Sequence, residues 1–328
     1  MRKSRLSALA ALTVAGLMLA GCSGGSLSGE SAAPSDDAAS GELIPVTVGL
    51  LQIAPHAAMQ LAIDEGIFEE HGLDVTIQLG QGGAALLPAV SSGSIQFAVG
   101  NPLSVLVAAS QGLEMKIVAG YSHQEQGVPA SGLVVRADSG IASFKDLAGK
   151  TVAVNAVNTL GDLGTMGLVE QDGGDPEAVK FTEIAFPDQL AQLEQGNIDA
   201  AWIPEPFISA ALATEGMEYL GNTFDVIPGL YSTVTFTSAS YADANPDVVK
   251  AFADGVADAT AFAMENDDLN REAIVAYTGM PAEVVGDLTL EVLSGDLDRK
   301  IIEELSALAL KFGFLGSEPD LDEVIAVQ

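Results

Sequence analysis

Residues Val46–Ile77 read VTVGLLQIAPHAAMQLAIDEGIFEEHGLDVTI, and the order of signals within them decides the fold. Val46 to Leu51 is a short, largely apolar run with the composition of a strand. Pro55 follows where a first helical turn tolerates it, since its missing N–H has no partner there in any case. Ala58, Met59, Ala62, Ile63 and Ile67 then recur on one helical face. Gly66 and Gly72 interrupt the helix, and Val75 to Leu79 predicts a second strand. Downstream, Gly80-Gln81-Gly82-Gly83 leads into a helix over 84–91 that Gly93 ends, with strands expected at Phe97–Val99 and Lys116–Ala119. Strands separated by helices argue for a parallel sheet in an α/β fold.

The same order restarts near Lys150. A strand is expected at Thr151–Val154, then a loop over Asn155–Thr159 and a helix to about Glu170. A strand at Phe181–Ala185, a helix opened by Phe186-Pro187-Asp188 and a strand at Ala200–Ile203 complete the unit. LPAVSSGSIQFA (87–98) and LAQLEQGNIDAA (190–201) carry Leu, Gly, Ile and Ala at matching positions. Each reads as helix, glycine cap, isoleucine and strand, so two lobes are built on one plan.

The N-terminus has a different character. Arg2, Lys3 and Arg5 precede an uncharged apolar run from Leu6 to Ala20, and Leu19-Ala20-Gly21-Cys22 closes it. The run is short for a membrane span, which takes about 20 apolar residues, and suits a secretory h-region. The ending has the form of a lipobox, in which Cys22 is lipidated, so residues 1–22 are predicted to be a lipoprotein signal. Cys22 is the single cysteine of the 328 residues, so no intrachain disulfide or Cys-x-x-Cys site is possible. Residues 23–42, rich in Ser, Gly, Ala, Asp and Glu, predict a flexible tether. Without Arg2, Lys3 and Arg5, ten basic residues face 45 acidic ones, a balance that repels nucleic acid and anionic lipid.

Four stretches resemble one family: Val46–Ile77, GGAALLPAVSSGSIQFAVGNP (82–102), DLAGKTVAVNAVNTLGD (146–162) and QLEQGNIDAAWIPEPF (192–207). They are similar to the ABC-transporter solute-binding proteins for sulfonates, taurine, nitrate and pyrimidine precursors. The likeness runs from about Val46 to Phe207 and is looser after Tyr241. It implies a two-lobed periplasmic-binding-protein fold of type II, with two crossover strands and ligand in the cleft between the lobes. The crossovers are placed at Leu133–Arg136 and Val234–Ser238, giving lobe one as 43–133 plus 238–328 and lobe two as 134–237. The implied protein is a monomer held by Cys22 to the outer face of a bacterial membrane, delivering ligand to permease and ATPase subunits. It needs no cofactor or metal and catalyses nothing. Enzymes on the same fold carry cysteine motifs that this chain lacks, and a sensory receptor lipoprotein is the remaining alternative.

Ligands of open parallel sheets bind at the carboxyl ends of the strands. That rule selects Gln52, His56, Gly82, Gly83, Asn101, Tyr121, Asn158, Thr159, Pro187, Trp202 and Glu205. None of the ten basic residues lies in these loops, so N–H groups at helix N-termini, at Gly82-Gly83 and Asn158-Thr159, are the expected holders of an anion. The family favours a small organic acid, an aromatic carboxylate or organosulfonate; a neutral or N–H-bearing heterocycle is the alternative. Gly82 and Gly83 either admit a ligand to the backbone or form a tight turn. Trp202, the single tryptophan, faces the cleft or the core beside it. Glu205 either accepts hydrogen bonds from a ligand or braces the loop between lobes. His56 contacts ligand or lies exposed in the first helical turn, and Tyr121 is preferred to His123 as a cleft residue. Gly161, Gly164 and Gly167 form a stripe suited to close helix packing. If Cys22 carries the anchor, Cys22→Ser should leave the protein unlipidated and free of the membrane on fractionation; membrane retention with unaltered gel mobility would refute the lipobox.

Overall fold

The computed structural model describes residues 42–80 and 83–326. The signal segment, Cys22, the tether up to Gly41 and Gly82 lie outside the described residues. Among the described residues, no helix is long and apolar enough to cross a membrane.

Eleven strands form two sheets. The first contains β1 (Ile44–Leu51), β2 (Leu73–Gly80), β3 (Phe97–Gly100), β4 (Met115–His123), β10 (Tyr231–Ser238) and β11 (Val292–Leu293), in the order β11-β4-β10-β3-β1-β2. The second contains β5 (Ser131–Arg136), β6 (Thr151–Val154), β7 (Lys180–Glu183), β8 (Ala200–Pro204) and β9 (Met217–Gly221), in the order β7-β6-β8-β5-β9. In each sheet three strands joined by helices run parallel: β1 with β2 and β3, and β6 with β7 and β8. The next strand is antiparallel to its neighbours, β10 between β3 and β4, and β5 between β8 and β9. The sheets are therefore mixed, where the helix–strand alternation predicts parallel ones. The two segments alike in sequence hold equivalent places, as the helices Gly83–Ser91 and Phe186–Glu194 with β3 and β8 after them.

The passages between sheets precede the positions read from the sequence. Leu133–Arg136 lies inside β5, wholly in the second sheet, and Val234–Ser238 lies inside β10, wholly in the first. The chain changes sheets over 124–130 and again over 222–230. Apolar runs mark where strands are, and the crossings are the irregular segments before them. After β10 the chain continues as the helices Pro246–Glu265, Asp267–Thr278 and Arg299–Lys311, the first of them packed on the first sheet.

Alternation along the strands fixes what each sheet face buries. On the second sheet, Val134, Ala153, Ala201 and Ile203 face one core with Leu193 and Ile208. Leu133, Val135, Val152, Val154, Ala200 and Trp202 face the other, packed with Leu160, Leu163 and Phe224. On the first sheet, Phe97 stacks on Phe252 of the helix Pro246–Glu265 at 3.9 Å between centroids, and Phe252 on Phe68 at 5.4 Å.

The glycine stripe belongs to the helix Leu160–Gln171, which presses onto Trp202 and the second crossing. A Cβ at Gly161 would lie 2.9 Å from the Trp202 ring, one at Gly164 would lie 2.6 Å from the Thr223 carbonyl oxygen, and one at Gly167 would lie 2.5 Å from Val226. Gly164 is the strictest of the three because it meets backbone. Gly164→Ala should destabilise the protein by about 1–3 kcal/mol through overpacking, measured by denaturant unfolding; unchanged stability would mean that the helix withdraws freely.

Candidate ligand-binding cleft

A cleft with about 540 Å³ of empty space, counted to its open mouth, lies between the two sheets. Strand ends supply part of its wall. Leu51 and Ile53 follow β1, Gly100 and Asn101 end β3, Asn155 follows β6, and Trp202 and Pro204 end β8. Thr159 and Leu160, where the helix Leu160–Gln171 begins, and Phe186, where the helix Phe186–Glu194 begins, add to it. The rest comes from the crossings and beyond: Ser131 at the start of β5, Ser232 and Thr233 at the start of β10, Phe224, and Glu291 just before β11.

The second lobe contributes an aromatic wall. Trp202 lies 5.9 Å from Phe186 and 6.2 Å from Phe224 between ring centroids, tilted against both. Its indole N–H donates to Thr223 Oγ1 at 2.7 Å, which fixes the ring. The first lobe contributes polar groups. Asn101 Oδ1 is committed to the Ser104 N–H at 2.8 Å, leaving its NH2 for a ligand.

Glu291 is the one ionisable side chain lining the cleft among the described residues. Ser232 Oγ donates to its Oε2, and Gln124 Nε2 donates to its Oε1 at 3.0 Å. Burial pushes its pKa above the ordinary glutamate value, opposed by hydrogen bonds from Ser232, Ser122 and Gln124. Gln124 also donates to Ser131 Oγ at 2.6 Å and accepts from Asn222 Nδ2 at 2.8 Å, so both crossings meet behind the carboxylate.

Of the residues selected from sequence, Asn101, Thr159 and Trp202 come together in this lining. Gly83 opens its helix. Gln52 is exposed and donates to the Tyr277 carbonyl at 2.9 Å, away from the cleft. Pro187 is exposed in the first turn of its helix, and its neighbour Phe186 reaches the cleft instead. Asn158 adopts a positive φ of 59° and turns the chain into the helix at Leu160. The N–H groups expected here to hold an anion are already occupied. Asp162 accepts from Asn158 N at 2.6 Å, Thr159 N at 2.7 Å and Leu163 N at 3.1 Å. Burial raises the Asp162 pKa to about 6 against the pull of these donors, so the carboxylate is ionised at neutral pH.

Glu205 lies outside the cleft lining. It accepts from Ser209 Oγ at 2.7 Å and from the Thr289 N–H at 3.2 Å, tying the end of β8 to a loop of the first lobe. Burial raises its pKa in turn. Tyr121 is wholly buried, with its hydroxyl donating to the Pro55 carbonyl at 3.1 Å. His56, neither exposed nor in the cleft, packs edge-on against the Tyr121 ring, 5.5 Å between centroids. Its Nδ1 accepts from the Leu51 N–H at 2.9 Å, which holds the end of β1 against the cleft.

A family model described as NMT1/THI5 like matches residues 54–269. The chain belongs to the NMT1/THI5-like family. Within reach of this family, the chain is 27% identical over 254 residues to the taurine-binding periplasmic protein of Escherichia coli K12, covering 73% of this chain and 75% of that one. It is 25% identical over 221 residues to the formylaminopyrimidine-binding protein of Halalkalibacterium halodurans, covering 66% and 65%. The alkanesulfonate-binding protein SsuA of Xanthomonas axonopodis pv. citri, solved bound to MOPS, shares the fold with a TM-score of 0.73 at 17% identity, over 88% of this chain and 99% of that one. These likenesses give the two-lobed periplasmic-binding-protein fold its standing.

Burial lowers the His56 pKa from 6.5 to about 4, against the Leu51 hydrogen bond. The unfolded chain takes up a proton near pH 6.5 that the native state refuses until about pH 4. The native state therefore loses up to about 3 kcal/mol as pH falls through that window. Asp162, whose folded pKa is raised, acts in the opposite sense, so the comparison is with a His56→Gln variant, which should show a flatter stability profile between pH 6.5 and 4. An imidazole resonance for His56 that titrates above pH 6 would contradict the burial.

Proposed function

We propose that this protein is the lipid-anchored solute-binding component of an ABC importer on the outer face of the membrane. Its ligand is a small flat molecule presenting N–H groups, a neutral or cationic N-heterocycle. One observation carries the ligand class: the cleft is lined by the Glu291 carboxylate and, among the described residues, by no Lys, Arg or His.

The magnitudes favour a donor ligand over an organic acid. An anion 4 Å from an ionised carboxylate is repelled by about 4 kcal/mol at an effective dielectric of 20, and burial, which raises the Glu291 pKa, reduces that repulsion. A free helix N-terminus returns typically about 0.3–1 kcal/mol, and at Thr159 the Asp162 carboxylate already sits beside it. A ligand N–H donating to Glu291 would instead gain about 1.5–3 kcal/mol, and a ring against Trp202 adds about 0.5–1.5 kcal/mol beyond its area. Relatives are named for taurine, for a formylaminopyrimidine and for aliphatic sulfonates; the Glu291 carboxyl in the lining is what supports the second reading. Capture without chemistry is the activity proposed, as in the relatives named as binding proteins.

A thermal-shift screen of pyrimidines, related amines and sulfonates against the mature protein identifies the class. Glu291→Gln should weaken an N–H-bearing ligand about 10- to 150-fold, and Trp202→Ala should weaken it as well. A sulfonate bound by the wild type and bound more tightly by Glu291→Gln would overturn the assignment.

A further inference from the structure

Ser232 and Thr233 both line the cleft although they are consecutive residues of one strand. Regular alternation would send their side chains to opposite faces. A bulge in the pairing of β10 with β4 prevents this: Tyr231 pairs with His123 and Thr233 with Ser122, so Ser232 has no partner of its own. Bulges re-aim side chains in this way. Three hydroxyls are thereby brought together. Ser122 Oγ lies 2.9 Å from Ser232 Oγ and 2.6 Å from Thr233 Oγ1. Ser232 Oγ in turn meets Glu291 Oε2, and Gln124 Nε2 donates to Oε1 of the same carboxyl at 3.0 Å. Ser122 itself is wholly buried and outside the cleft lining.

A hydroxyl has one proton to give and two lone pairs to receive. The contacts Glu291–Ser232, Ser232–Ser122 and Ser122–Thr233 each need one proton. With Glu291 ionised, the hydroxyls supply just enough. Ser232 donates to Glu291, Ser122 to Ser232 and Thr233 to Ser122, which leaves Thr233 Oγ1 with lone pairs alone toward the cleft. Whether Ser122 gives its proton to Ser232 or to Glu291, its contact with Thr233 has only the Thr233 proton. With Glu291 protonated there is one proton more than there are contacts. Each hydroxyl then turns about its C–O bond and keeps its own proton. Glu291 donates to Ser232, Ser232 to Ser122 and Ser122 to Thr233, and the Thr233 O–H faces the cleft. Hydrogen bonds in such a chain polarise one another, so a single direction is favoured throughout.

We propose that the Ser232–Ser122–Thr233 chain carries the charge state of Glu291 to Thr233, which accepts a hydrogen bond from a ligand when Glu291 is ionised and donates one when Glu291 is protonated. Thr233 is then a specificity-determining residue, and Ser122 a positioning residue that acts through it. The inference rests on the reading of this cleft as the ligand site. It adds a second acceptor for an N–H-bearing molecule at neutral pH, and it turns the same cleft toward molecules that bring acceptors as Glu291 gains its proton. Burial, and no neighbouring charge, raises the Glu291 pKa, so the neutral form is reached at milder pH than for an ordinary glutamate. Titratable groups on the elements around it are committed elsewhere. The Tyr121 and Tyr277 hydroxyls donate to the Pro55 and Leu51 carbonyls, and Tyr231 accepts from the Asp298 N–H. Glu205 is held by Ser209 and Thr289, Arg271 by Asp267 and the Val285 carbonyl, and Glu125 on the first crossing is exposed. Burial lowers the pKa of His123, next to Ser122 on β4, and of His56, which keeps both imidazoles neutral to lower pH than usual.

The first test needs no ligand and no variant of the chain. Neutron diffraction from deuterated crystals of the mature protein places the hydroxyl deuterons, and infrared spectra of the wild type against Glu291→Gln locate the pH at which Glu291 gains its proton. Above that pH the Thr233 deuteron should lie toward Ser122, and below it toward the cleft. A Thr233 deuteron aimed into the cleft while Glu291 is ionised overturns the proposal, and so does one that stays on Ser122 after Glu291 is protonated. These positions hold whatever the cleft binds, so their failure strikes the chain and leaves the ligand class standing. The second test uses 4-aminopyrimidine as a donor probe and methanesulfonate as an acceptor probe, titrated calorimetrically with Glu291 ionised. Thr233→Val should weaken 4-aminopyrimidine about 2- to 12-fold. Ser122→Ala frees the Thr233 proton without altering a cleft residue, so it should weaken 4-aminopyrimidine and tighten methanesulfonate, and Ser122→Thr should restore both. Loss of affinity for both probes alike in Ser122→Ala is the mark of a merely structural role and overturns the assignment of Ser122.

Discussion

Each sheet accepts one strand that arrives from the other lobe, and that strand must run antiparallel to its neighbours. The geometry of the cleft follows from this exchange. An antiparallel strand begins where the parallel strands beside it end. Ser131 at the start of β5 is therefore carried to the carboxyl ends of β6 and β8, and Ser232 and Thr233 at the start of β10 to those of β1 and β3. The crevice at the ends of parallel strands, where such sheets bind ligands, thus gains hydroxyl groups placed directly after the two passages between the lobes among the described residues. The cleft lining and the crossings are adjacent because the topology brings them together.

The hydrogen bonds that fill this junction form one connected set. Asn222 from the second crossing reaches Gln124 from the first, Gln124 reaches Ser131 and Glu291, and Ser232 holds Glu291 from the other side. A buried polar network is stable only when its members are satisfied together, so a change in the relative position of the lobes disturbs several bonds at once. Such a junction favours discrete arrangements over gradual ones. A ligand that touches Glu291 acts directly on the set that holds the crossings.

Much of this was legible in the sequence, and the failures share a physical cause. The helix–strand order of Val46–Ile77 and its echo near Lys150 marked the two α/β units, and the strand-end rule named Asn101, Thr159 and Trp202, which line the cleft. That rule assumes parallel strands, so it passed over Ser131, Ser232 and Thr233, which start antiparallel ones. Glu291 and Phe224 lie in irregular segments with no periodicity to place them; the signal for Glu291 was only a carboxylate close before a two-residue apolar run, Val292–Leu293. His56 and Tyr121 are polar enough to suggest a site, but they satisfy the end of β1 and Pro55 from inside the core. The stripe at Gly161, Gly164 and Gly167 read as a packing surface from spacing alone, and the Trp202 ring and the Thr223 backbone are what press against it.

Asp162 shows why the spacing of acidic residues carries as much information about the ligand as the cleft lining does. A helix N-terminus facing a crevice is a ready anion site, and a chain with a three-residue-spaced Thr159 and Asp162 fills that site from within by a capping box. The carboxylate takes the N–H groups of Asn158, Thr159 and Leu163, and it is anchored by the fold and so costs no binding entropy to keep there. A protein selected to hold an acid by backbone N–H groups would leave this end open or place a short uncharged cap at it. Here the second lobe has closed its polar end and left aromatic faces, while the first lobe offers a carboxylate held by two donors. Charge, donors and flat surface are thereby sorted between the lobes, and the proposed N–H-bearing ligand is argued from that division.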